Sequence, residues 1–331
     1  MKKIALITGG YTGESVISYK SAAVILQNLD KTKFEGYTIT IIPEKWFYTN
    51  EQGIEFLVNR NDFTLTINNK LLKFDVALIA IHGNPGEDGK LQGYFDMCGI
   101  PYTSCNALTS ALTMNKYFTK KVVKEIENLH LSKSIRLIKN RDFKIEEILQ
   151  KLQLPLFIKP NSGGSSIGMS KVKVKEELEF AIDKAFLEDK EILIEEFISG
   201  REFTVGIYKN QNEIIVLPIT EIISTKEFFD FEAKYTKGVS EEITPANLSE
   251  EVRINVDKIG REVYLELNCS GIVRIDFILN QTNNDFYFIE INTVPGQSEN
   301  SIVPQQVRAS GIKMSDFYAE LINNAILDFA K

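Results

Sequence analysis

The chain has 331 residues, 44% of them hydrophobic and 25% charged, and a formal net charge of −7, which is typical of a soluble globular protein of two or three domains. The acidic balance disfavours nucleic acid as a partner, and no apolar run approaches the ~20 residues that span a bilayer, so no membrane partner is expected. The three cysteines lack CxxC spacing, which favours reduced thiols in the cytoplasm over a zinc site or a disulfide.

The first third of the chain alternates strand and helix patterns. KIALIT precedes a glycine-rich turn and an apolar-periodic helix from about Ser15 to Leu29, and the later runs TITII and FDVALIA are typical of buried parallel strands. The opening apolar stretch is too short for a secretory leader and is expected to be a strand. We therefore predict a doubly wound parallel-sheet α/β domain over residues 1–103.

Two further units are predicted after it. A long helical pattern, ALTSALTMNKYFTKKVVKEI, leads into short strands and helices that predict a small α+β domain over residues 104–198. Long alternating strands then dominate residues 199–331, namely REFTVGIY, IIVLPITEI, GIVRIDFIL and DFYFIEIN, with a polar segment at about 224–245. Because no low-complexity linker separates these units, the functional site is expected between them.

The glycine turn GGYTGE follows the first strand, but it lacks GxGxxG spacing and no acidic residue ends the second strand. A nicotinamide site is therefore disfavoured against a plain strand-to-helix turn. Glu14 begins the helix, so its carboxylate has two interpretations: a charge that stabilises the helix dipole, or a functional group. His82 is one of two histidines and ends a buried strand, where open α/β sheets bind ligands, although lone histidines more often pack or cap.

A second glycine-rich segment, KPNSGGSSIGMS, begins at Lys159 and follows the apolar run LPLFI. Flexible backbone amides beside a cation suit a polyphosphate, because glycine lets the main chain approach the phosphates while the lysine supplies charge. The lysine precedes the glycines, so the segment does not match the P-loop. A plain hairpin is the alternative for this loop considered alone.

Two strands near the C-terminus carry polar residues at alternate positions. In VRIDFIL, Arg274 and Asp276 share one face, and in FIEINTVPG, Glu290 and Asn292 share one face about 7 Å apart. If the strands are neighbours, two carboxylates, an amide and a guanidinium converge, whereas each residue alone would fit a solvated sheet face. Oxygen ligands without thiol or imidazole suit Mg²⁺, and the arginine suits a developing oxyanion.

Taken in order, eight segments carry a family resemblance: GGYTGE, HGNPGEDGKLQG, PYTSCNALTSALTMNK, FIKPNSGGSSIGMSKV, LIEEFISGREFTV, FFDFEAKY, RIDF and EINTVPGQSENSIVP. Together they resemble the D-alanine:D-alanine ligases, which are ATP-grasp enzymes, and the match runs nearly end to end. The resemblance implies an N-terminal α/β domain followed by a two-domain ATP-grasp module that clasps ATP, with a lid at about 224–245. It also implies two D-alanine substrates, two Mg²⁺ ions replaceable by Mn²⁺, a homodimer and a cytoplasmic role in peptidoglycan precursor synthesis.

The resemblance also implies roles for individual residues. Those expected to contact ATP are Lys116, Lys159, Ser165, Ser166, Glu195, Glu196, Phe197, Ile198, Glu202 and Lys234. Those expected to bind substrate are Glu14, His82, Lys234, Tyr235, Ser301 and the Ile302 amide. The implied metal ligands are Asp276, Glu290 and Asn292. Those implied in catalysis are Glu14, Ser165 and Tyr235, as a hydrogen-bonded chain, with Arg274 and the Gly296 amide at the oxyanion.

The reaction implied is transfer of the γ-phosphate to one D-alanine, followed by attack of the second D-alanine's amine on the acyl phosphate. A related ATP-grasp ligase that makes D-alanyl-D-lactate or D-alanyl-D-serine is the nearest alternative. Tyr235 favours the dipeptide, because relatives that join D-lactate lack tyrosine at this lid position. An oxidoreductase and a noncatalytic nucleotide-binding protein have less support, since the full set of acid, amide and cation is present.

Overall fold

The computed structural model describes residues 1–164, 167–224 and 240–330. Its first seven-stranded sheet has the order β6-β5-β4-β3-β2-β1-β7. The strands are β1 (Lys2–Gly9), β2 (Phe34–Ile41), β3 (Trp46–Thr49), β4 (Glu55–Asn59), β5 (Thr64–Ile67), β6 (Lys70–Leu72) and β7 (Val76–Ile79). β2, β1 and β7 are parallel, as predicted, whereas β3 to β6 add an antiparallel extension that was not predicted.

Helices cover both faces of the parallel strands. On β1, Ile4 and Leu6 pack toward helix α1 (Ser15–Asn28), while Ala5 and Ile7 pack toward helix α2 (Lys90–Cys98). Because successive strand residues point to opposite faces, a strand apolar at every position is buried from both sides. The predicted α/β class of the N-terminal part is confirmed.

The middle of the chain forms a four-stranded antiparallel sheet with the order β11-β10-β12-β9. Its strands are β9 (Ser134–Ile138), β10 (Leu156–Pro160), β11 (Ser170–Val172) and β12 (Glu191–Glu196), and its helices are α5 (Ile145–Lys151) and α6 (Leu178–Glu188). The long helical run before it is two helices, α3 (Ala107–Met114) and α4 (Lys116–Val123). The break is at Asn115, whose side chain accepts a hydrogen bond from the Phe118 amide and caps α4.

A third sheet has the order β16-β15-β13-β17-β18-β8, with β14 beside β13. Its strands are β8 (Leu129–His130), β13 (Gly200–Asn210), β14 (Glu213–Val216), β15 (Thr220–Ser224), β16 (Ser240–Ile243), β17 (Ile272–Asn280) and β18 (Phe286–Asn292). The run IIVLPITEI forms two strands, because Pro218 falls between β14 and β15 and lacks the N–H a ladder needs. Helices α7 (Glu250–Glu266), α8 (Ile302–Ala309) and α9 (Met314–Phe329) complete this part.

The three sheets follow one another along the chain except for one strand. β8 lies between the first and second sheets in sequence, yet it pairs in parallel with β18 of the third sheet. The domain limits of 1–103, 104–198 and 199–331 stay predictions. Within the described residues, none of the helices is both long enough and apolar enough to cross a membrane.

Strand β17 divides its side chains between a core and a cleft. Val273, Ile275 and Phe277 are buried in the apolar core that also includes α7, while Arg274 and Asp276 line the cleft on the opposite face. This division is the one predicted from the alternation. The core side therefore fixes the direction in which the polar side chains point.

Truncating Ile275 to alanine should destabilise the fold through this core. Ile275 is 0% exposed, so Ile275→Ala is expected to lower the free energy of unfolding by about 2–5 kcal/mol, measured by urea denaturation. The control is Ile254→Ala on α7, at a side chain that is 56% exposed, for which the change should stay within about 0.5 kcal/mol. Equal losses in the two variants would contradict the described packing.

Candidate active site

A cleft of about 1260 Å³ lies where elements of the three sheets meet. Sixteen of the residues implied in function line it: Glu14, His82, Lys116, Lys159, Glu195, Glu196, Phe197, Ile198, Glu202, Arg274, Asp276, Glu290, Asn292, Gly296, Ser301 and Ile302. Ser165, Ser166, Lys234 and Tyr235 lie outside the described residues. Residues up to 288 positions apart in the chain thus share one cavity.

The polar face of β17 and β18 forms one wall of the cleft. The strands pair antiparallel, with Arg274 opposite Asn292 and Asp276 opposite Glu290. The Arg274 guanidinium donates two hydrogen bonds to Asp276, at 2.9 and 2.8 Å, and the Asn292 amide donates a third at 3.3 Å. Burial would lower the pKa of Arg274, but the Asp276 carboxylate outweighs it and raises that pKa, so the guanidinium stays charged.

Two carboxylates and one amide make up the predicted metal set. Within residues 1–164, 167–224 and 240–330, no group of three or more histidine, cysteine, aspartate or glutamate side chains is arranged to hold a metal. Asp276, Glu290 and Asn292 nevertheless present oxygen atoms from adjacent strand positions into the cleft. Hard oxygen donors of this kind fit Mg²⁺, which keeps several waters and binds through one or two carboxylates together with phosphates.

A buried charge cluster lies behind the glycine-rich loop. Glu195 on β12 accepts from Lys120 at 2.6 Å and contacts Lys159 at 2.8 Å, and all three side chains are less than 10% exposed. Burial alone would raise the pKa of Glu195, but the two ammonium groups outweigh it and lower the pKa to about 2. The carboxylate of Glu195 is thus occupied by two lysines, while its expected place at the adenine stays a prediction.

Lys120 was missed in the sequence, although it follows Lys116 by one helical turn on α4. Its ammonium group also donates to the backbone oxygen and the hydroxyl of Ser132, both at 2.9 Å. Lys116 itself donates to the Gly163 carbonyl at 2.6 Å and lies 3.3 Å from Glu290. The (i, i+4) spacing of two lysines was the available signal.

The glycine-rich loop approaches the start of α1. A Cβ added to Gly164 would lie 3.0 Å from Glu14 Oε1, and one added to Gly83 would lie 2.7 Å from Glu14 Oε2. The Glu14 carboxylate is therefore enclosed between two glycine backbones, one from each of two loops. Larger side chains at these glycines would collide with it.

One end of the cleft, where the second substrate's carboxylate is expected, is formed by the start of α8. Ser301 is the N-cap of this helix, so the Ile302 amide belongs to its positive end, which favours a carboxylate. A Cβ added to Gly296 would lie 2.8 Å from Ser301 Oγ, so the two predicted residues are close neighbours. The Ser298 and Ser301 hydroxyls are hydrogen-bonded at 2.7 Å.

Glu242 is a further cleft residue that the sequence did not single out. It lies on β16, and Gln305 of α8 donates a hydrogen bond of 2.6 Å to its carboxylate. The same Gln305 amide donates to the Asn300 carbonyl at 2.9 Å. Burial raises the pKa of Glu242 above its usual range. The residue was not singled out because it lies inside the polar segment predicted at about 224–245.

The second and third sheets enclose buried lysines beside a glycine-rich loop, and these lysines face the carboxylates of β17 and β18. This arrangement defines a ligase of the ATP-grasp class. Models of the D-ala D-ala ligase N-terminus and C-terminus match residues 3–105 and 125–323. The D-alanine--D-alanine ligase of Flavobacterium johnsoniae is 45% identical over 97% of this chain and 98% of its own length. The chain belongs to the D-alanine:D-alanine ligase family.

Solved structures agree in fold with this assignment. The D-alanine--D-alanine ligase from Bacillus anthracis complexed with ATP has a TM-score of 0.79 and 30% identity, covering 100% of this chain and 99% of its own. The VanG D-Ala:D-Ser ligase from Enterococcus faecalis has a TM-score of 0.86 and 32% identity, covering 98% and 99%. The ATP-grasp architecture predicted from the sequence is confirmed.

Neutralising Glu195 should destabilise the protein strongly, because it leaves two buried ammonium groups without a carboxylate. Glu195→Gln is expected to lower the free energy of unfolding by about 3–5 kcal/mol, measured by urea denaturation. The control is the adjacent Glu196→Gln, since the Glu196 side chain is 21% exposed and lies 3.9 Å from the exposed Lys133; its loss should stay below about 1 kcal/mol. Similar losses would show that the cluster is not a buried ion pair.

Proposed function

We propose that the protein joins two molecules of D-alanine into D-alanyl-D-alanine while ATP is converted to ADP and phosphate. One observation carries the proposal: the sixteen described residues that the family resemblance implies line a single cleft. The 45% identity to a D-alanine--D-alanine ligase over nearly the whole chain supports this product. In the cell the dipeptide would serve peptidoglycan precursor synthesis in the cytoplasm, and a homodimer is the proposed assembly.

ATP would be bound between the second and third sheets. Lys116 and Lys159 supply charge for the phosphates, and the glycine-rich loop, with Ser165 and Ser166, supplies backbone donors that cover them. The segment Glu195 to Ile198 would border the adenine and Glu202 the ribose. Asp276, Glu290 and Asn292 would hold two Mg²⁺ ions, replaceable by Mn²⁺, which supply positive charge next to the transferred phosphoryl group.

In the first step, a carboxylate oxygen of the first D-alanine attacks the γ-phosphorus of ATP, and the bond to the ADP oxygen breaks. Glu14 would bind this substrate's ammonium group, which directs its carboxylate toward the phosphate. Most of the rate enhancement comes from holding both reactants in line, because the protein positions the substrates and does not react covalently with them. The product is an acyl phosphate, whose hydrolysis is avoided only if water is excluded.

In the second step, the amine of the second D-alanine attacks the acyl carbon, and the C–O bond to phosphate breaks as the amide forms. Ser301 and the Ile302 amide would hold the acceptor's carboxylate. Negative charge develops on the carbonyl oxygen when the amine adds, before the bond to phosphate breaks, and Arg274 and the Gly296 amide would stabilise it there. Arg274 is suited to this task because its position is fixed by two hydrogen bonds to Asp276.

The lid and the choice of acceptor complete the proposal. Lys234 would reach the phosphates from the lid, and Tyr235 would close it through a hydrogen-bonded chain with Ser165 and Glu14. Gly164, the residue before Ser165, lies against Glu14 and supports that chain. A D-alanyl-D-lactate or D-alanyl-D-serine product is the alternative. The D-serine product is supported by the 32% identity of this chain to a D-Ala:D-Ser ligase, which is lower than its 45% identity to a D-alanine--D-alanine ligase.

Phosphate release from ATP and Mg²⁺ should require D-alanine and should not occur appreciably with L-alanine. Glu14, Arg274 and Ser301 would fix the ammonium group, the reacting carbon and the acceptor, so only one stereoisomer is in line. The assay follows phosphate and identifies the product by chromatography, with D-lactate and D-serine offered as competing acceptors. Comparable turnover of L-alanine would refute the proposed function, and a predominant ester or seryl product would favour the alternative.

Glu290→Gln should nearly abolish turnover at saturating Mg²⁺ and leave the fold intact. The substitution removes a carboxylate from the proposed metal set and from the contact with Lys116, but hardly changes the shape of the side chain. Turnover is followed by phosphate release and the fold by circular dichroism. The control is Glu266→Gln at the exposed end of α7, which should behave as the parent. Activity of Glu290→Gln within a few-fold of the parent would exclude the metal role.

A further inference from the structure

A short turn at residues 294–297 carries the Gly296 amide, and three side chains from the first domain hold it. His82 Nδ1 contacts the Val294 carbonyl at 2.8 Å, and Glu87 accepts from the Val294 amide at 3.2 Å. Ser21 on α1 accepts from the Gln297 amide at 3.1 Å. We call Ser21, His82 and Glu87 the turn bracket, since they bind backbone atoms on both sides of Gly296.

The bracket residues are also joined to one another. His82 Nε2 lies 3.0 Å from Ser21 Oγ, and the other oxygen of Glu87 accepts from the Gly83 amide at 2.6 Å. The His82 amide donates to Ser18 Oγ, one turn before Ser21 on α1. Ser21 is fully buried and His82 is 8% exposed, so water does not compete for these hydrogen bonds.

These contacts settle the tautomer of His82. A carbonyl oxygen only accepts, so Nδ1 must carry the proton and donate to Val294. Nε2 is then the acceptor for the Ser21 hydroxyl, whose oxygen in turn accepts from the Gln297 amide. Burial lowers the pKa of His82, which favours this neutral form. Both ring nitrogens are therefore engaged within the protein.

We propose that Ser21, His82 and Glu87 are positioning residues that fix the Gly296 amide at the oxyanion, and that His82 acts through the turn rather than on a substrate. This assignment rests on the proposed function and differs from the substrate contact expected for His82. No other described element supplies a side-chain hydrogen bond to the Val294 or Gln297 amide. An amide that is held in place before reaction needs no reorganisation when the charge develops.

A turn that is no longer held in place would weaken stabilisation of the transition state more than substrate binding. The oxyanion exists only there and in the tetrahedral intermediate, so its donor contributes to kcat more than to substrate binding. Loss of the bracket should therefore lower kcat and leave the KM for ATP nearly unchanged. Replacement of a residue that contacts the first alanine would instead raise the KM for D-alanine.

The first test compares two buried helical serines. Ser21→Ala removes the hydroxyl that holds Gln297, and Ser110→Ala removes a fully buried hydroxyl that donates to the Cys105 carbonyl at 3.1 Å, away from the cleft. Both should lower the thermal midpoint to a similar extent. Only Ser21→Ala should lower kcat, by about tenfold or more, with the KM for ATP within about twofold.

Two results would overturn the proposal. Parental kcat in Ser21→Ala would show that the turn keeps its position without the bracket. A raised KM for D-alanine at unchanged kcat would place the residue at the substrate instead. If the parent itself formed no dipeptide from D-alanine and ATP, the proposed function would fail first, and that control is run alongside.

The second test asks how His82 acts. His82→Asn keeps an amide donor near the position of Nδ1, whereas His82→Leu has none, so the asparagine variant should retain more kcat than the leucine variant. The charged groups facing this site are Glu14, Glu87 and Arg274, and all remain in both variants. Burial raises the pKa of Glu87 to about 7, so the comparison is made above that value. The ratio of parental to variant kcat should stay constant from pH 8 to 9, because a neutral His82 does not titrate there. A ratio that changed by about tenfold per pH unit would make His82 an acid or base and refute the proposal.

Discussion

The antiparallel pairing of β17 with β18 is the constraint on which the site depends. Its register sets Asp276 opposite Glu290 and Arg274 opposite Asn292, and a shift of β17 by one residue would turn Arg274 and Asp276 into the apolar core. The core residues Val273 and Ile275 prevent that shift, because they would have to enter the cleft. Hydrophobic burial on one face thus determines the chemistry available on the other.

Features that follow from local periodicity were predictable from the sequence. The alternation in VRIDFIL identified both faces of β17, and the apolar period of α1 gave its limits to within one residue. The antiparallel strands β3 to β6 were missed because they are three to five residues long, too short for a clear period. Asn68 and Asn69 were a usable signal: both have positive φ, as a tight hairpin between β5 and β6 requires.

The residues of the site also divide into those that the sequence identified and those that only the structure identified. Charged residues in recognisable segments were found, but Ser21, Glu87 and Glu242 gain their meaning only from contacts with residues more than 60 positions away. Ser21 looks like any small polar residue of a helix, and nothing local distinguishes it from Ser110. His82 was recognised from its place at the end of a strand, yet only the three-dimensional structure shows that both of its ring nitrogens bind protein atoms.

The buried cluster of Lys120, Lys159 and Glu195 has an electrostatic consequence. Two ammonium groups share one carboxylate, so this part of the cleft carries an uncompensated positive charge in a region shielded from water. A polyphosphate bound as proposed would supply the counter-ion that this arrangement lacks. Nucleotide binding and the stability of the second sheet are therefore thermodynamically linked, and the protein becomes harder to unfold as nucleotide concentration rises.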